Sequence, residues 1–487
     1  MKRQTLVGYA ALVAAALVGS TAATAVAAPQ APDQLGLGAQ EQLVQTSTIT
    51  DADGTVFTHY DRTYRGLKVV GGDLIVERTK AGKVKSVART TDAKIELATT
   101  TPSSAADRGE LVVFALDHAP TLAWEKVTES VSADKTPSEL HVFTDAKTGA
   151  ELLRYDSVMH LETGSGVSTW SGTVALDTTK SGSTYQLKDP LRGNQQVNNL
   201  NGGTSTGTLF TDADNKWGNG TQSDKATAGV DAAYGAAKTW DYYKNTHGRN
   251  GIRNDGVGAL SKVHYSTNYV NAFWTDSCFC MTYGDGQNNA KPLTSLDVAG
   301  HEMSHGVTSV TAKLVYSGES GGLNEATSDI FGTAVEFAAN NPADVGDYLI
   351  GEKIDIRGNG TPLRYMDKPS KDGASADYWS STVGSKDVHY SSGVANHFFY
   401  LLSEGSGAKT INGVSYNSPT QDGQSVTGIG RDKAEKIWYR ALTTKFTSGT
   451  KYAAARTGTL AAASELYGAS SAEYAAVNRA WAAVNVK

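Results

Sequence analysis

The residues with the clearest chemical potential lie at positions 301–305, where the sequence has the pattern His-Glu-x-x-His. Side chains at i and i+4 share one face of a helix, so His301 and His305 can bind one metal ion together. This spacing is typical of zinc sites in which the intervening residue, here Glu302, lies beside the open coordination position. Glu325 follows in the next predicted helix, after a glycine-rich segment expected to form a turn. Two histidines, one glutamate and one water are the ligands of a hydrolytic zinc enzyme.

The segment around Glu325 supports this interpretation. Asp329 lies at i+4 from Glu325 and therefore faces the same way. A carboxylate in that position can accept a hydrogen bond from the outer N–H of a metal-bound imidazole. The alternative is a pair of surface or helix-cap histidines, and the presence of both motifs at a compatible distance disfavours it.

The first residues have the pattern of a secretory signal peptide. A short basic start precedes an apolar run from about Leu6 to Val18, and small residues follow at 25–27. The run is too short for a transmembrane anchor, so we expect residues 1–27 to be removed before Ala28. The protein is therefore expected to be secreted and extracellular.

Composition limits the partners and the domain count. The chain has 487 residues and a net charge of −6, with basic residues scattered rather than clustered. This disfavours nucleic acid as a partner, and the length allows two to four domains. We expect a monomer that does not bind membranes. The two cysteines, Cys278 and Cys280, are expected to form a small disulfide loop in an oxidising compartment, with two free thiols as the alternative.

Residues 28–162 differ from the rest of the chain because strand-like alternation dominates and no catalytic constellation occurs there. Strands are predicted at 67–70, 73–77, 84–87 and 141–144, and one helix at Ser103–Ala115. A segment without chemistry ahead of a secreted hydrolase indicates a propeptide, with a permanently attached binding domain as the alternative.

The remaining chain is predicted to form two lobes. Residues 163–310 contain short strands, such as 167–170 and 184–187, one helix at 227–245, and the zinc helix at 296–311. Residues 311–487 are predicted to be helical. A cleft between a β-rich and an α-rich lobe would place the zinc site where extended substrates bind. The later helices are expected at 323–340, 391–402, 431–445, 452–467 and 472–484.

Several stretches of this sequence resemble the thermolysin-like secreted metallopeptidases, specifically their actinobacterial branch. The resemblance covers roughly residues 164–487 and is strongest at 269–274, 281–286, 297–305, 321–332 and 428–431. Residues 64–72 are similar to the family's propeptide motif. The resemblance implies an α+β catalytic domain with a zinc cleft between two lobes, preceded by an α+β propeptide that acts as intramolecular inhibitor and chaperone. It also implies bound zinc and calcium, and cleavage of proteins on the amino side of hydrophobic residues.

The resemblance assigns a role to each matching position. His301, His305 and Glu325 look like the zinc ligands, and Glu302 looks like the general base. Asp329 and Asn324 look like hydrogen-bond partners of the two histidines, and Tyr316 and His389 look like donors to the oxyanion. Arg364 looks like the group that holds the P1′ carbonyl. Asn271 and Ala272 look like the edge that binds the substrate backbone. The family usually has an aspartate five residues before the oxyanion histidine, whereas Asp387 here lies only two residues before His389. Asp387 is still expected to reach that imidazole.

The resemblance also implies structural calcium, which oxygen-rich sites suit. Asp297, Glu336 and Asp347 match family ligands, with the Leu349 carbonyl beside them. Further candidates are the acidic residues Asp344, Glu352, Asp212 and Asp214.

Two other functions stay open at this level. One is a catalytically silent secreted binding protein on the same scaffold. The other is a zinc hydrolase of cell-wall glycans or lipids. The first is disfavoured because every role that peptide hydrolysis needs has a candidate residue. Casein hydrolysis blocked by a chelator would separate the peptidase from both.

Overall fold

The computed structural model describes residues 35–51, 54–102, 109–116, 118–131, 137–156 and 160–487. The chain divides into two compact units, Met1–Val158 and Met159–Lys487. The predicted signal peptide and its cleavage site lie outside the described residues. Within them, no helix is long and apolar enough to cross a bilayer.

The described part of the first unit is built from β-strands that form one nine-stranded sheet. The strands are β1 Glu41–Thr50, β2 Val56–Tyr64, β3 Leu67–Val70, β4 Leu74–Arg78, β5 Val84–Arg89, β6 Glu110–Phe114, β7 Thr121–Val131, β8 Pro137–Asp145 and β9 Glu151–Asp156. Their order is β5-β4-β2-β3-β6-β7-β8-β9, with β1 also paired to β2. Alternate side chains of β4 pack with Tyr60 in a small core, as the two-residue period of a half-buried strand requires.

The helix predicted at Ser103–Ala115 is wrong over the described residues, because 110–114 form strand β6. Residues 103–108 lie outside the described part. Val112, Val113 and Phe114 are buried, and β6 pairs with β3 on one side and β7 on the other. β-Branched residues favour such a central position, and pairing with two strands overrides any helical pattern. The predicted strands at 67–70, 84–87 and 141–144 are present, and the strand predicted at 73–77 begins one residue later, at Leu74.

The second unit begins with two sheets. Their strand orders are β16-β12-β11-β10-β17 and β13-β14-β18-β20-β19, with β15 paired to β14. Their strands are β10 His160–Val167, β11 Thr173–Ser181, β12 Thr184–Gln186, β13 Lys188–Asp189, β14 Gln195–Asn199, β15 Thr208–Leu209, β16 Thr211–Asp212, β17 Lys216–Trp217, β18 Leu260–Val263, β19 Ala272–Thr275 and β20 Cys280–Tyr283. Later in the chain, β21 Leu349–Ile350 pairs with β22 Arg364–Tyr365, and β23 Gly407–Ile411 pairs with β24 Val414–Ser418, as two separate two-stranded sheets. Strand β19 lies at the sheet edge. The turn after it contains Cys278 bonded to Cys280.

The strand predicted at 167–170 ends at Val167. The backbone N–H groups of Thr169 and Trp170 donate to the buried carboxylate of Asp231 instead of to a neighbouring strand. A buried carboxylate needs such donors, so the chain leaves the ladder at this point.

Eight α-helices complete the described part of the second unit. They are α1 Ala226–His247, α2 Leu296–Val310, α3 Gly318–Ala339, α4 Val388–Ser391, α5 Gly393–Glu404, α6 Arg431–Thr444, α7 Tyr452–Tyr467 and α8 Ala472–Ala483. All lie close to their predicted positions except the start of α3. The predicted helix at 391–402 is divided between α4 and α5.

The glycine-rich segment before Glu325 is helical, contrary to the predicted turn. Helix α3 begins at Gly318 and includes Gly321 and Gly322. A Cβ atom at Gly321 would lie 2.4 Å from Val388, and one at Gly322 would lie 2.5 Å from Ser391. These glycines therefore serve close packing of α3 against α4, a tertiary contact that the sequence pattern does not reveal.

Helices α2 and α3 pack closely enough to require glycine at their crossing. A Cβ atom at Gly332 of α3 would lie 2.5 Å from the backbone oxygen of Asp297 and 3.2 Å from the backbone nitrogen of His301. Because both are backbone atoms, neither can move aside cheaply. The crossing therefore fixes the distance between the two helices that carry the site.

We predict that Gly332→Ala destabilises the protein by about 1–3 kcal/mol, because overpacking at the crossing outweighs the better helix propensity of alanine. Thermal unfolding measures the effect. Gly229→Ala in α1 is the matched control, since its nearest neighbours are the movable side chains of Phe210 and Leu187 at 3.1–3.3 Å. Equal melting temperatures for the two variants would contradict the account.

Candidate active site

Three side chains that the sequence singled out converge between α2 and α3. Nε2 of His301 lies 3.1 Å from Nε2 of His305 and 3.5 Å from Oε2 of Glu325. Nε2 of His305 lies 3.4 Å from Oε1 of Glu325. One possible ligand atom from each of the three residues lies within 4.8 Å of the other two. Two imidazole nitrogens and one carboxylate facing a common point form the donor set of a catalytic zinc site.

The other nitrogen of each imidazole is held by a buried partner. Nδ1 of His301 lies 2.8 Å from Oδ1 of Asp329, and Nδ1 of His305 lies 2.8 Å from Oδ1 of Asn324. The Asn324 amide is itself oriented by donating to the Leu314 carbonyl at 2.8 Å. Each Nδ1 therefore carries the proton, which leaves each Nε2 lone pair directed toward the shared point.

Asp329 connects the metal-binding candidates to the rest of the cleft. Its carboxylate accepts two hydrogen bonds from Arg364, at 2.8 and 2.6 Å, and one from Asn396 at 2.7 Å. Burial alone would raise the pKa of Asp329, but the Arg364 guanidinium and His301 hold it well below its usual range. Asn396 was not predicted. It lies beside His397 in α5, and no spacing in the sequence relates it to Asp329.

The electrostatics of the triad fit a cation. Oε2 of Glu325 is buried and has no hydrogen-bond partner within the described part of the chain. Burial would raise the pKa of Glu325, but the hydrogen bond from His305 and the charge of His301 hold it well below its usual range. Burial would lower the pKa of His305, whereas the Glu325 carboxylate raises it to about 9. The side chains thus favour positive charge at the point that they share.

Glu302 lies in the wall of the same cleft and is 6% exposed. Burial raises the pKa of this carboxyl, and the neighbouring histidines oppose the shift. A carboxylate with a raised pKa beside a metal position is suited to receive and return a proton.

Tyr316, His389 and Asp387 form a chain of polar groups on one side of the triad. The Tyr316 hydroxyl donates to Glu325 and lies 3.2 Å from Nε2 of His389. Nδ1 of His389 lies 2.7 Å from the Asp387 carboxylate, which also accepts from the His389 backbone N–H at 3.0 Å. Asp387 caps the short helix α4, so it reaches the ring despite the shortened spacing.

A cleft of about 750 Å³ contains these groups. Asn271 and Ala272 line it at the start of edge strand β19, and Arg364 lies in its wall. An edge strand can bind an extended peptide by adding it to the sheet. The wall near Arg364 is apolar and was not predicted in detail; its aliphatic members are Leu293, Val298, Ile350, Ile354, Ile356 and Leu363.

A second acidic cluster lies where α2 and α3 meet the segment at 344–352. Carboxylate oxygens of Asp297, Glu336 and Glu352 lie within 4.8 Å of one another. Burial and the neighbouring carboxylates raise the pKa of Glu336 well above its usual range and that of Glu352 to about 10. Asp344 and Asp347 are buried beside them, and burial raises their pKa values to about 7 and about 6.

Several oxygens of this cluster have no hydrogen-bond partner within the described residues. They are Oε1 of Glu336, both carboxylate oxygens of Asp344 and Oε2 of Glu352. Among the residues that the structure describes, Lys353 forms the one ion pair with this cluster, and its Nζ lies 3.6 Å from Asp344. Crowded, buried carboxylates with free oxygens fit a calcium site.

Asp212 and Asp214 have a different environment. Oδ2 of Asp212 accepts from the backbone N–H groups of Asp214 and Asn215, at 2.8 and 2.7 Å. Asp214 accepts from the backbone of Lys216 at 3.1 Å. The structure places both in a surface turn, and within the described residues they join no group of three close metal-binding side chains. Their role in calcium binding stays a prediction.

Comparison with known proteins matches almost the whole second unit. The family model described as "Thermolysin metallopeptidase, catalytic domain" matches residues 163–309, and "Thermolysin metallopeptidase, alpha-helical domain" matches residues 312–486. The "Fungalysin/Thermolysin Propeptide Motif" matches residues 41–90.

Similar proteins extend this finding. A "Transglutaminase-activating metalloprotease" of Streptomyces mobaraensis is 60% identical over 475 residues, covering 93% of this chain and 62% of the relative, so this chain spans less than two thirds of that protein. A "Thermolysin" of Alicyclobacillus acidocaldarius subsp. acidocaldarius is 35% identical over 501 residues, covering 93% and 87%. The solved "Precursor of Protealysin, Metalloproteinase from Serratia proteamaculans" is 28% identical, with a TM-score of 0.46 over 60% of this chain and 87% of that one.

We predict that Asp329→Asn weakens metal binding by about 10–100-fold, because the carboxylate that orients His301 is lost. Competition with a chelator measures the change. Asp387→Asn is the matched control, since Asp387 contacts His389 rather than a metal-binding candidate. Unchanged metal affinity in Asp329→Asn would contradict the assigned role.

Proposed function

The chain belongs to the thermolysin family of metallopeptidases, and on that premise we propose that it is a secreted zinc-dependent endopeptidase made as an inactive precursor. The observation that carries the proposal is the convergence of His301, His305 and Glu325 beside the buried Glu302, in a cleft large enough for an extended peptide. The signal-peptide pattern at 1–27 supports secretion.

The three converging side chains would hold the zinc ion. When bound, zinc supplies a Lewis acid that polarises the peptide carbonyl and lowers the pKa of the attacking water. Glu302 removes a proton from that water and returns it to the departing amine. Its raised pKa favours the first step, because a carboxylate with a higher pKa is the stronger base, and the return of the proton is favoured by the greater basicity of the departing amine.

Oxyanion stabilisation is assigned to Tyr316 and His389. Their Oη and Nε2 atoms lie 3.2 Å apart, and both groups line the cleft beside Glu325, to which the Tyr316 hydroxyl donates. A donor of this kind is worth about 2.7–4 kcal/mol in other enzymes. Asp387 orients the His389 ring through its 2.7 Å contact with Nδ1.

Substrate binding is assigned to the edge strand and to Arg364. Asn271 and Ala272 offer backbone groups to an extended peptide. Two bonds to Asp329 hold the Arg364 guanidinium rigid, and its remaining N–H groups can donate to the P1′ carbonyl. The aliphatic wall near Arg364 favours a hydrophobic side chain on the carboxyl side of the cleaved bond, which corresponds to cleavage on the amino side of hydrophobic residues.

We assign one or more calcium ions to the cluster formed by Asp297, Glu336, Glu352, Asp344 and Asp347. Such an ion would neutralise carboxylates that the fold buries together, and it would join α2 to α3. The Cys278–Cys280 disulfide is proposed to persist in the secreted enzyme, since an oxidising compartment preserves it.

Casein hydrolysis that a chelator abolishes tests the proposal as a whole. A catalytically silent binding protein would leave casein intact. A hydrolase of glycans or lipids would cleave those polymers and not casein.

We predict that Glu302→Gln lowers kcat by about 10²–10⁴-fold while zinc stays bound, because the amide has nearly the same shape but cannot accept the proton. Peptide hydrolysis and zinc content per chain are measured on the same preparation. Activity within tenfold of wild type would refute the assignment of the base.

Calcium is predicted to contribute stability rather than chemistry. After removal of all metal, zinc alone should restore activity but not heat resistance. Calcium should add about 2.7 kcal/mol of stability at about 100 times its Kd, because it binds only the folded state. Asp347→Asn should abolish most of this gain in thermal unfolding, whereas Asp214→Asn, in the surface turn, should retain it. A zinc-only enzyme that melts within a degree of the calcium-loaded form would contradict the site.

Maturation is predicted to remove residues 28–162 with a cut between residues 158 and 166. The expected precursor is inactive because the propeptide acts as an intramolecular inhibitor. N-terminal sequencing and mass spectrometry of the secreted active enzyme give the cut directly. Fully active enzyme that still carries residues 28–160 covalently would show that the segment is a permanent domain.

A further inference from the structure

A second concavity of about 380 Å³ adjoins the cleft. We call it the outer pocket. Its lining includes Arg253, Trp274, Asp276, Phe279, Ser309 and Lys313. Trp274, Asp276, Ser309 and Lys313 also line the cleft, so the two cavities are continuous. A peptide lying in the cleft can therefore place a side chain in the outer pocket.

The turn between β19 and β20 builds the aromatic wall of this pocket. Phe279 stands between the two bonded cysteines, in a left-handed conformation with φ of 50°. Its ring meets Trp274 edge to face, with centroids 5.4 Å apart. The guanidinium of Arg253 lies 3.6 Å from the centroid of Phe279. This stacking fixes a cation at the pocket wall.

The charges of the outer pocket leave an excess of one positive charge. Within the described residues, Arg253 and Lys313 form no ion pair with a carboxylate. Asp276 is the one acidic residue of the lining. Its Oδ1 already accepts from Trp274 Nε1 at 2.6 Å and from Ser309 Oγ at 2.7 Å. The two cations are therefore available to a ligand, and Asp276 is engaged in holding the wall.

The position of the pocket places it on the amino side of the cleaved bond, an assignment that rests on the proposed function. Arg364, the P1′ carbonyl donor, is absent from the lining of the outer pocket, as are the metal-binding candidates. The pocket begins at Trp274, which follows the cleft-lining Ala272 along edge strand β19. An extended peptide advances about 3.3 Å per residue, so a side chain two or three residues from the cleaved bond would reach it.

We propose that the outer pocket is a specificity subsite that selects an acidic side chain two or three residues on the amino side of the cleaved bond. The carboxylate of the substrate would lie between the Arg253 guanidinium and the Lys313 ammonium. The aliphatic stem of the same side chain would lie on Trp274 and Phe279. Both cations are solvent-exposed, so the effect is modest and sensitive to salt.

A set of matched fluorogenic peptides tests the proposal. All the peptides have the same cleaved bond. They differ only in the second or third residue on the amino side of that bond, which is Glu, Gln or Lys. We expect kcat/KM for Glu to exceed that for Lys by about 1.5- to fivefold at low salt, which is the range of exposed charge pairs. The preference should shrink at high salt. Equal values for the three peptides, with the peptides still cleaved, would overturn the subsite and leave the proposed function standing.

Variants of the two cations assign the effect to the pocket. Arg253→Gln and Lys313→Gln should each reduce the ratio of kcat/KM for the Glu peptide to kcat/KM for the Lys peptide. Lys244→Gln, on the exposed end of α1, removes the same charge elsewhere and should leave the ratio unchanged. A ratio that falls equally in all three variants would show a general effect of net charge and overturn the subsite.

Binding provides a readout that does not depend on turnover. The Glu302→Gln protein should bind the Glu peptide more tightly than the Lys peptide by a similar factor, and Lys313→Gln in that background should remove the difference. Equal Kd values for the two peptides in the Glu302→Gln protein would contradict the subsite. Failure of the wild-type protein to cleave any of the peptides would instead refute the proposed function, and the subsite with it.

Discussion

The buried carboxylate of Asp329 is the interaction on which the rest of the site depends. It accepts from the Nδ1 atom of His301, twice from Arg364, and once from Asn396. A buried aspartate without these donors would be strongly destabilising, and a buried arginine without the aspartate equally so. The same charge pair therefore orients the imidazole assigned to the metal and holds the group assigned to the substrate carbonyl. The proposed chemistry and substrate position would thus be coupled through one side chain of α3.

The packing of α2 against α3 makes this coupling possible. Glycine at the crossing brings the backbones together, so side chains on the facing surfaces reach one another. At one end of the interface lie His301 and Glu325, and at the other lie Asp297 and Glu336. The second group buries carboxylates that repel one another, and in the first group Oε2 of Glu325 has no hydrogen-bond partner within the described residues. The proposed ions, one at each end, would offset this burial, so the helix pair would gain stability and catalytic geometry from them.

The sequence predicted which side chains would converge between α2 and α3, because their positions follow from helical spacing. His301, His305 and Glu325 meet because α2 and α3 have the predicted type and nearly the predicted bounds. The contact of Asp387 with His389 was also foreseen, although its physical reason, the capping of α4, became visible only in the structure. These are local relations within or between neighbouring elements.

Relations between distant elements could not be read in the same way. The glycines at 321–322 suggest a turn by propensity, but they serve close packing against α4. Asn396 gives no pattern, since its partner Asp329 lies 67 residues away in sequence. Strand β6 was mistaken for a helix because its identity depends on pairing with β3 and β7. In each case a tertiary contact overrides the local preference.

X-ray absorption spectroscopy of the mature protein, loaded with one equivalent of zinc, tests the central claim most directly. The account predicts one zinc per chain with two imidazole nitrogens at about 2.0–2.1 Å and a carboxylate oxygen at a similar distance. It also predicts that His301→Ala loses one imidazole from that shell. A shell containing sulfur, or a shell unchanged by His301→Ala, would contradict the claim that the two histidines and Glu325 hold the catalytic metal.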